Sequence, residues 1–319
     1  MKVSAKAPSN IAFVKYWGRK DEALRLPENG SISMNLSNLQ TTTTVEFGDF
    51  ENDEVNFNGK IEQLEDNRAI KHIDRIRKLA NISLKVKIET TNNFPTGTGL
   101  SSSASGFAAL TLAAAVAAGL KLSGKELSIL ARQGSGSACR SIPDGFVEWL
   151  DGDSSDTSYA VCVFPPEHFD IADVVAVVST EKKFLATSEG QKSARTSPFF
   201  EKRLSMIKDK INRVKKAIED KNFSEFGDLI EKEALEFHSI LFTSNPPLFY
   251  WTPETVKVMK FVQDLRIGGL ECYFTINTGQ DVHVLSRKED AEKVEGKLKE
   301  LPEVIQAIIN YPSSGARLT

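Results

Sequence analysis

Residues 94–106, FPTGTGLSSSASG, gather three glycines and four serines into one short stretch. Upstream, SLKVKIETT alternates Leu84, Val86 and Ile88 with Lys85, Lys87 and Glu89, the two-residue period of a half-buried strand. Downstream, FAALTLAAAVAAGL is rich in helix formers and has no breaker before Gly119. The stretch therefore joins a strand to a helix start. A helix start leaves about four backbone N–H groups unpaired and carries roughly half a positive charge, so a glycine loop there suits an anion, phosphate above all. The loop lacks the Gly-Lys-Ser/Thr of a Walker A sequence and the third glycine of a dinucleotide fingerprint. A serine N-cap on a buried helix is the other reading of the same residues. With no lysine in the loop, a polyphosphate held there needs hydroxyls, Mg2+ and a cation from elsewhere.

Two more segments offer such groups. APSNIAFVKYWGRKDE sets Lys15, Tyr16 and Trp17 together, followed by Arg19 and Lys20. An aromatic wall, a phenol and cations side by side suit a phosphorylated or carboxylated small molecule, although any one exposed cation is more commonly solvated surface. GSGSACRS, residues 134–141, adds flexible glycines, three serines and Arg140, whose planar fork grips a carboxylate or phosphate through two hydrogen bonds; a capped loop is its plainer reading. Three oxyanion-suited segments in one half of the chain point together to ATP and an anionic substrate.

At 319 residues, two domains are expected. A net charge of -3 argues against nucleic acid or an anionic membrane as the main partner. The longest apolar run, Phe107 to Leu120, is short of the ~20 residues that span a bilayer, and the N-terminus lacks an apolar signal core. Cys139, Cys162 and Cys272 are scattered without CxxC spacing, as are the four histidines, which fits a reduced cytosolic protein without a His-based metal site. The first half reads as short strands mixed with helices. From about Lys182 a polar loop leads into helical patterns at 201–221, 224–243 and 253–266. ECYFTI and DVHVLS then read as two strands joined by a tight NTGQ turn, and a charged helix follows. These patterns predict an α+β protein divided near residue 180.

The segments APSNIAFVKYWG, LPENGSISMNL, NNFPTGTGLSSSASGFAAL, GSGSACRSIPDGFVEW and TSPFF occur in the order and approximate spacing of the diphosphomevalonate decarboxylases, which belong to the superfamily of small-molecule kinases that includes galactokinase, homoserine kinase and mevalonate kinase. The sequence resembles that family over nearly its whole length. The resemblance implies a two-domain α+β fold, residues 1–180 binding ATP and 181–319 carrying helices and a hairpin, with the active site in the cleft between them. It implies ATP- and Mg2+-dependent phosphorylation of the 3-hydroxyl of mevalonate 5-diphosphate, then loss of phosphate and CO2 to give isopentenyl diphosphate. Cytoplasmic location and a homodimer are also implied. Pro95, Gly97, Gly99, Leu100, Ser101, Ser102 and Ser103 correspond to the ATP-phosphate loop, with Ser102 toward the metal. Asn10, Tyr16, Trp17 and Lys20 correspond to substrate contacts, as do Ser135, Ser137, Thr187 and Ser188; Arg140 would fix the substrate carboxylate and Lys15 would sit near the transferred phosphoryl group.

Three positions depart from the family pattern. Where the family usually reads Asp-Ala-Gly-Pro-Asn, with the Asp as presumed base, this chain reads NTGQD and has Asn277. An amide cannot take that proton at neutral pH, and Asp281, across the same turn, is the candidate displaced carboxylate. Ser188 stands where many bacterial members carry an arginine for the terminal phosphate, and Asp144 replaces a usual glycine near Arg140. Alternatives therefore stand beside the decarboxylase: action on the 5-monophosphate, a kinase that phosphorylates the 3-hydroxyl and stops, or a binding protein without turnover.

Overall fold

The computed structural model describes residues 1–95, 99–181 and 185–319. Its first sheet is built on two long strands, β1 (Lys2–Val14) and, after the short hairpin of β2 (Arg19–Asp21) and β3 (Leu26–Pro27), β4 (Ser31–Gly48). β5 (Glu54–Phe57) and β6 (Lys60–Ile61) form an edge hairpin, and β7 (Lys85–Asn92) lies between β4 and β5. β8 (Phe146–Trp149) pairs with the start of β4, and β9 (Ala160–Phe164) pairs with β8. The second sheet holds β10 (Ile171–Val177), β11 (Cys272–Thr275), β12 (Val282–Arg287) and β13 (Gln306–Asn310) in the order β11-β12-β10-β13. The last strand, β14 (Arg317–Leu318), returns to the first sheet beside β1.

Sequence adjacency misplaces one strand. β10 is fully buried and reads as an ordinary apolar run, yet it pairs with β12 and β13. The strands thus pass from the first sheet to the second between β9 and β10, ahead of residue 180, and β14 alone returns. A strand's own residues record its burial, not its neighbours.

Helices α1 (Arg68–Ala80), α2 (Ser102–Ala117) and α3 (Gly124–Gly134) accompany the first sheet. α2 is alanine-rich and buried nearly all round, which lets it lie close across β1 and β4. After one helical turn, α4 (Thr187–Gly190), come α5 (Phe200–Glu219), α6 (Phe223–Phe242), α7 (Pro253–Ile267) and α8 (Ala291–Lys299). α7 starts at the Thr252 cap with Pro253 in its first turn, as its sequence predicts. One core joins the two sheets: Phe13, Val14 and Phe146 pack with Val175, Tyr273 and Leu285 and with the inner faces of α5 and α6. That shared core fixes the walls of the cleft.

Candidate active site

One cavity lies between the sheets. Its wall from the first half of the chain carries Lys15, Tyr16, Trp17, Arg19, Arg25, Arg68, Gly99, Ser101, Ser102, Ser103, Ser135, Ser137 and Arg140; the facing wall carries Thr187, Ser188, Gln191, Phe237, Asn277 and Thr278. Among the described residues five cations line it, and no carboxylate or histidine does.

The helix start does not show the side-chain cap that the plainer reading of the glycine–serine loop requires. Ser101 takes the left-handed conformation, φ 57°, and makes no side-chain capping bond. Its Oγ instead accepts a hydrogen bond from Asn277 Nδ2 at 3.1 Å, across the cleft. The first turn of α2 is therefore open to the cavity through Ser101, Ser102 and Ser103. Gly99, φ 122°, is needed where it stands, because a Cβ there would lie 2.7 Å from Cα of Gly279. Leu100 turns into the core, where it is 2 % exposed, and neither it nor Pro95 lines the cavity; Gly97 lies outside the described residues.

Arg140 is buried, with Nη1 donating to Ser31 Oγ at 2.9 Å and Nη2 to Asn10 Oδ1 at 3.0 Å. Its Nε is buried without a partner, and no carboxylate pairs with it among the described residues. Asn10 is thus a support, not a wall: its amide also donates to Ser141 Oγ and to the Ser137 carbonyl. A register shift in the β1–β4 pairing between Pro8 and Asn10 accompanies that inward turn. Asp144 is exposed and accepts from the Gly315 N–H, so it anchors the chain's return to the first sheet.

Lys20 is corrected in the same way. It is exposed and pairs with Asp153 at 2.9 Å, while Arg19 faces the cavity and donates to Tyr16 Oη at 2.9 Å. Adjacent residues of a strand point to opposite faces, and Arg19, not Lys20, faces the cavity. Tyr16 and Trp17 both line the cavity; Tyr16 packs 4.6 Å from Trp149 and Trp17 edge-on to Phe237.

Arg25 and Arg68 are cavity residues that the sequence does not mark. Arg25 Nε donates to the Gln133 carbonyl and Arg68 Nη2 to the Gly134 carbonyl, both at 3.1 Å. The last carbonyls of α3, the negative end of that helix, thus gather two guanidiniums at one end of the cavity. Arg68 sits at the first position of α1, where a cation opposes the helix dipole. Burial, then Arg19 and Arg68, depress Arg25 to about 10. Arg19 also pairs with Glu22 at 2.5 Å, whereas Arg25 and Arg68 have no carboxylate partner among the described residues, an arrangement suited to an anion.

Lys15 lines the first wall as well. It is 3 % exposed, and Nζ donates to the Ala12 carbonyl and to Thr275 Oγ1 at 2.6 Å. Burial pulls its pKa down to about 7, against Glu233, which raises it. Glu233 accepts from the Lys15 backbone N–H at 3.2 Å and is buried between Arg203 and Lys210, an ion cluster that supports the lysine from behind. Asn277 is held twice, through Ser101 and through its own carbonyl, which lies 3.1 Å from His238 Nε2. Asp281 does not join it. Its Oδ1 accepts from the Val178 N–H, just past the end of β10, at 3.0 Å, and the buried carboxylate lies off the cavity lining. Thr187 and Ser188 line the neutral wall, with Thr187 Oγ1 2.7 Å from Thr278 Oγ1. Ser135 and Ser137 line the opposite one, and Ser135 Oγ lies 3.3 Å from Ser103 Oγ.

Comparison with known proteins agrees with this geometry. Residues 7–160 match the diphosphomevalonate decarboxylase-like N-terminal domain, and residues 173–314 match the mevalonate 5-diphosphate decarboxylase C-terminal domain. The diphosphomevalonate decarboxylase of Candida albicans is 38% identical over 91% of this chain and 86% of its own; that of Homo sapiens is 34% identical over 89% and 76%. Mevalonate diphosphate decarboxylase from Staphylococcus aureus superposes with a TM-score of 0.94 at 38% identity, covering 100% of this chain and 98% of that one. The structure of MDDEF in complex with MVAPP, AMPPCP and magnesium superposes with a TM-score of 0.93 at 35% identity, covering 100% and 99%.

Proposed function

The chain belongs to the diphosphomevalonate decarboxylase family, and we propose that it converts mevalonate 5-diphosphate and ATP into isopentenyl diphosphate, ADP, phosphate and CO2. The observation that carries this reading is the cavity of five cations with no carboxylate among the described residues, a site for two polyanions.

Arg140, cradled by Ser31 and Asn10 and without an ion-pair partner, takes the substrate carboxylate. Arg19, Arg25 and Arg68 take the 5-diphosphate, which makes up for the arginine that Ser188 replaces. The open first turn of α2 and Ser101 to Ser103 hold the ATP phosphates, with the Ser102 hydroxyl toward Mg2+. The residues fit that group: an uncapped helix start, a glycine at φ 122° and three hydroxyls converge there. Bound Mg-ATP supplies the phosphoryl group for the 3-hydroxyl. Lys15 stands near the transferred phosphoryl, and the apolar edges of Trp17 and Phe237 restrict water. Such catalysis is chiefly positioning and electrostatics.

Among the described residues no helix is long and apolar enough to cross a membrane, and Cys139, Cys162 and Cys272 are free. The free cysteines support a cytoplasmic location. A homodimer follows from the family resemblance alone, and light scattering tests it. The function itself is tested by supplying mevalonate, its 5-phosphate and its 5-diphosphate with Mg-ATP and following products by phosphorus NMR. Isopentenyl diphosphate from the 5-diphosphate supports the reading; preference for the 5-phosphate, or a stable 3-phosphorylated product, replaces it.

A further inference from the structure

We infer that Lys15 takes the proton from the substrate's 3-hydroxyl, the duty for which Asn277 has no carboxylate; this rests on the decarboxylase reading above. The cavity leaves few other acceptors. Asn277 is an amide that donates to Ser101 Oγ. Asp281 accepts from Val178 N–H outside the lining, and Glu233 is held by Arg203, Lys210 and the Lys15 backbone. Tyr16 Oη already accepts from Arg19, and burial pushes the phenol up, away from the neutral range.

Lys15 differs from all of these. Lys15 lines the same cavity as Asn277 and Arg140, and among the described residues no carboxylate stands within ion-pair distance of its Nζ. Its two partners are a carbonyl and a hydroxyl, so a neutral amine is satisfied by donating to Ala12 and meeting Thr275 while its lone pair stays available. The groups that face it are Glu233 and His238 on α6, Arg203 on α5, Arg140, and Asp173 on β10, itself bound to His283 of β12 at 2.8 Å. Burial is the largest influence, and it brings the amine to about 7, where both forms are present at neutral pH.

In the step, the Nζ lone pair forms a bond to the hydroxyl hydrogen as the O–H bond breaks. The freed oxygen bonds to the transferred phosphorus as the bond from phosphorus to ADP breaks. The resulting ammonium lies beside the new phosphate ester, and its proton passes to solvent after the products leave. Negative charge on the ligands raises the amine's pKa in the complex, so the rate climbs with pH through a midpoint above that of the free protein.

The test pairs a titration with kinetics. Competitive acetylation of the wild-type protein, read at the Lys15 peptide by mass spectrometry with both ligands present, gives that amine's own midpoint. Single-turnover ADP formation from mevalonate 5-diphosphate gives the kinetic one. Coinciding midpoints are expected. Lys15→Arg keeps the charge and cannot release its proton; it is expected to lose about 10²-fold or more in rate along with the rising limb, while Lys15→Arg with Asn277→Asp recovers turnover and shifts the limb to acid. Separate midpoints, or a Lys15→Arg protein with wild-type rate and limb, overturn the assignment. No ADP or CO2 from wild type at any pH would sink the decarboxylase reading and this inference with it, whereas wild-type turnover with an indifferent Lys15→Arg sinks only the latter.

Discussion

The two walls of the cleft are built differently. The wall from the first half of the chain carries Lys15, Arg19, Arg25, Arg68 and Arg140 beside a run of serines; the wall from the second carries hydroxyls, amides and an aromatic edge, with no charge among the described residues. Charge on one side fixes where anions lie. The neutral side touches it at few points, among them Asn277 to Ser101 and Gly279 against Gly99. Affinity is therefore assigned to the first wall, and alignment of the reacting groups to the contacts between the two.

Removing charge from the first wall has the largest expected effect. Arg140→Ala should lower kcat/KM by on the order of 10²-fold or more, because it deletes a buried fork from a substrate carboxylate. Arg140→Lys should be impaired as well, since the three donors of an ammonium radiate from one atom and do not reproduce the planar fork that spans Ser31 and Asn10. Steady-state CO2 release measures both; wild-type release from Arg140→Ala would move the carboxylate elsewhere.

Changing the neutral wall comes next. Asn277→Asp should raise ADP and CO2 formation by roughly tenfold, less than the roughly 10²–10⁴-fold of a sole positioned base because Lys15 already acts as one. Asp281→Asn should leave that rate nearly unchanged and lower the melting temperature, because its partner is the Val178 backbone. The reverse pattern would show that the hairpin presents Asp281 in solution.

Contact between the walls is probed at Gly99. Gly99→Val puts a branched Cβ at φ 122° and within 2.7 Å of Gly279, strain on the order of 1–3 kcal/mol, so ATP affinity should fall about tenfold in a protein whose circular dichroism is preserved. Unchanged affinity would remove phosphate from this loop. Arg25→Leu is milder: the side chain is only half-buried, and a KM increase of about tenfold or less for the 5-diphosphate is expected, with KM for ATP unaltered.

The smallest effect is on stability in acid. His72 under α2 and His238 on α6 are buried and held down to about 3, chiefly by desolvation. Between pH 6.5 and 3 the unfolded chain binds these protons and the folded chain does not, so stability falls as pH falls through that window. Melting temperature should drop by on the order of 5 °C per pH unit below 6.5, and His72→Gln should flatten the slope. A melting temperature level down to pH 4 would contradict it.

Much of the first wall was legible because its chemistry is local. A glycine–serine loop between a strand and a helix, and Arg140 between serines, declare themselves by spacing. Arg25 and Arg68 did not, since each is an ordinary cation until the end of α3 draws both to one place. Lys20 and Arg19 were indistinguishable without the strand's facing, and β10 without its partners. Sequence sets Asn10 and Asp281 among the site residues because it shows proximity along the chain and not the direction of a side chain. Glu233 and Thr275, which hold Lys15 from the second half, carry no local signal at all.

The account is tested most directly by following ADP and labelled CO2 together in one turnover of mevalonate 5-diphosphate with Mg-ATP. One CO2 for each ADP, with isopentenyl diphosphate as product, is the result predicted. ADP without CO2 would make the protein a 3-hydroxyl kinase, and binding of both ligands with neither product would contradict the account altogether.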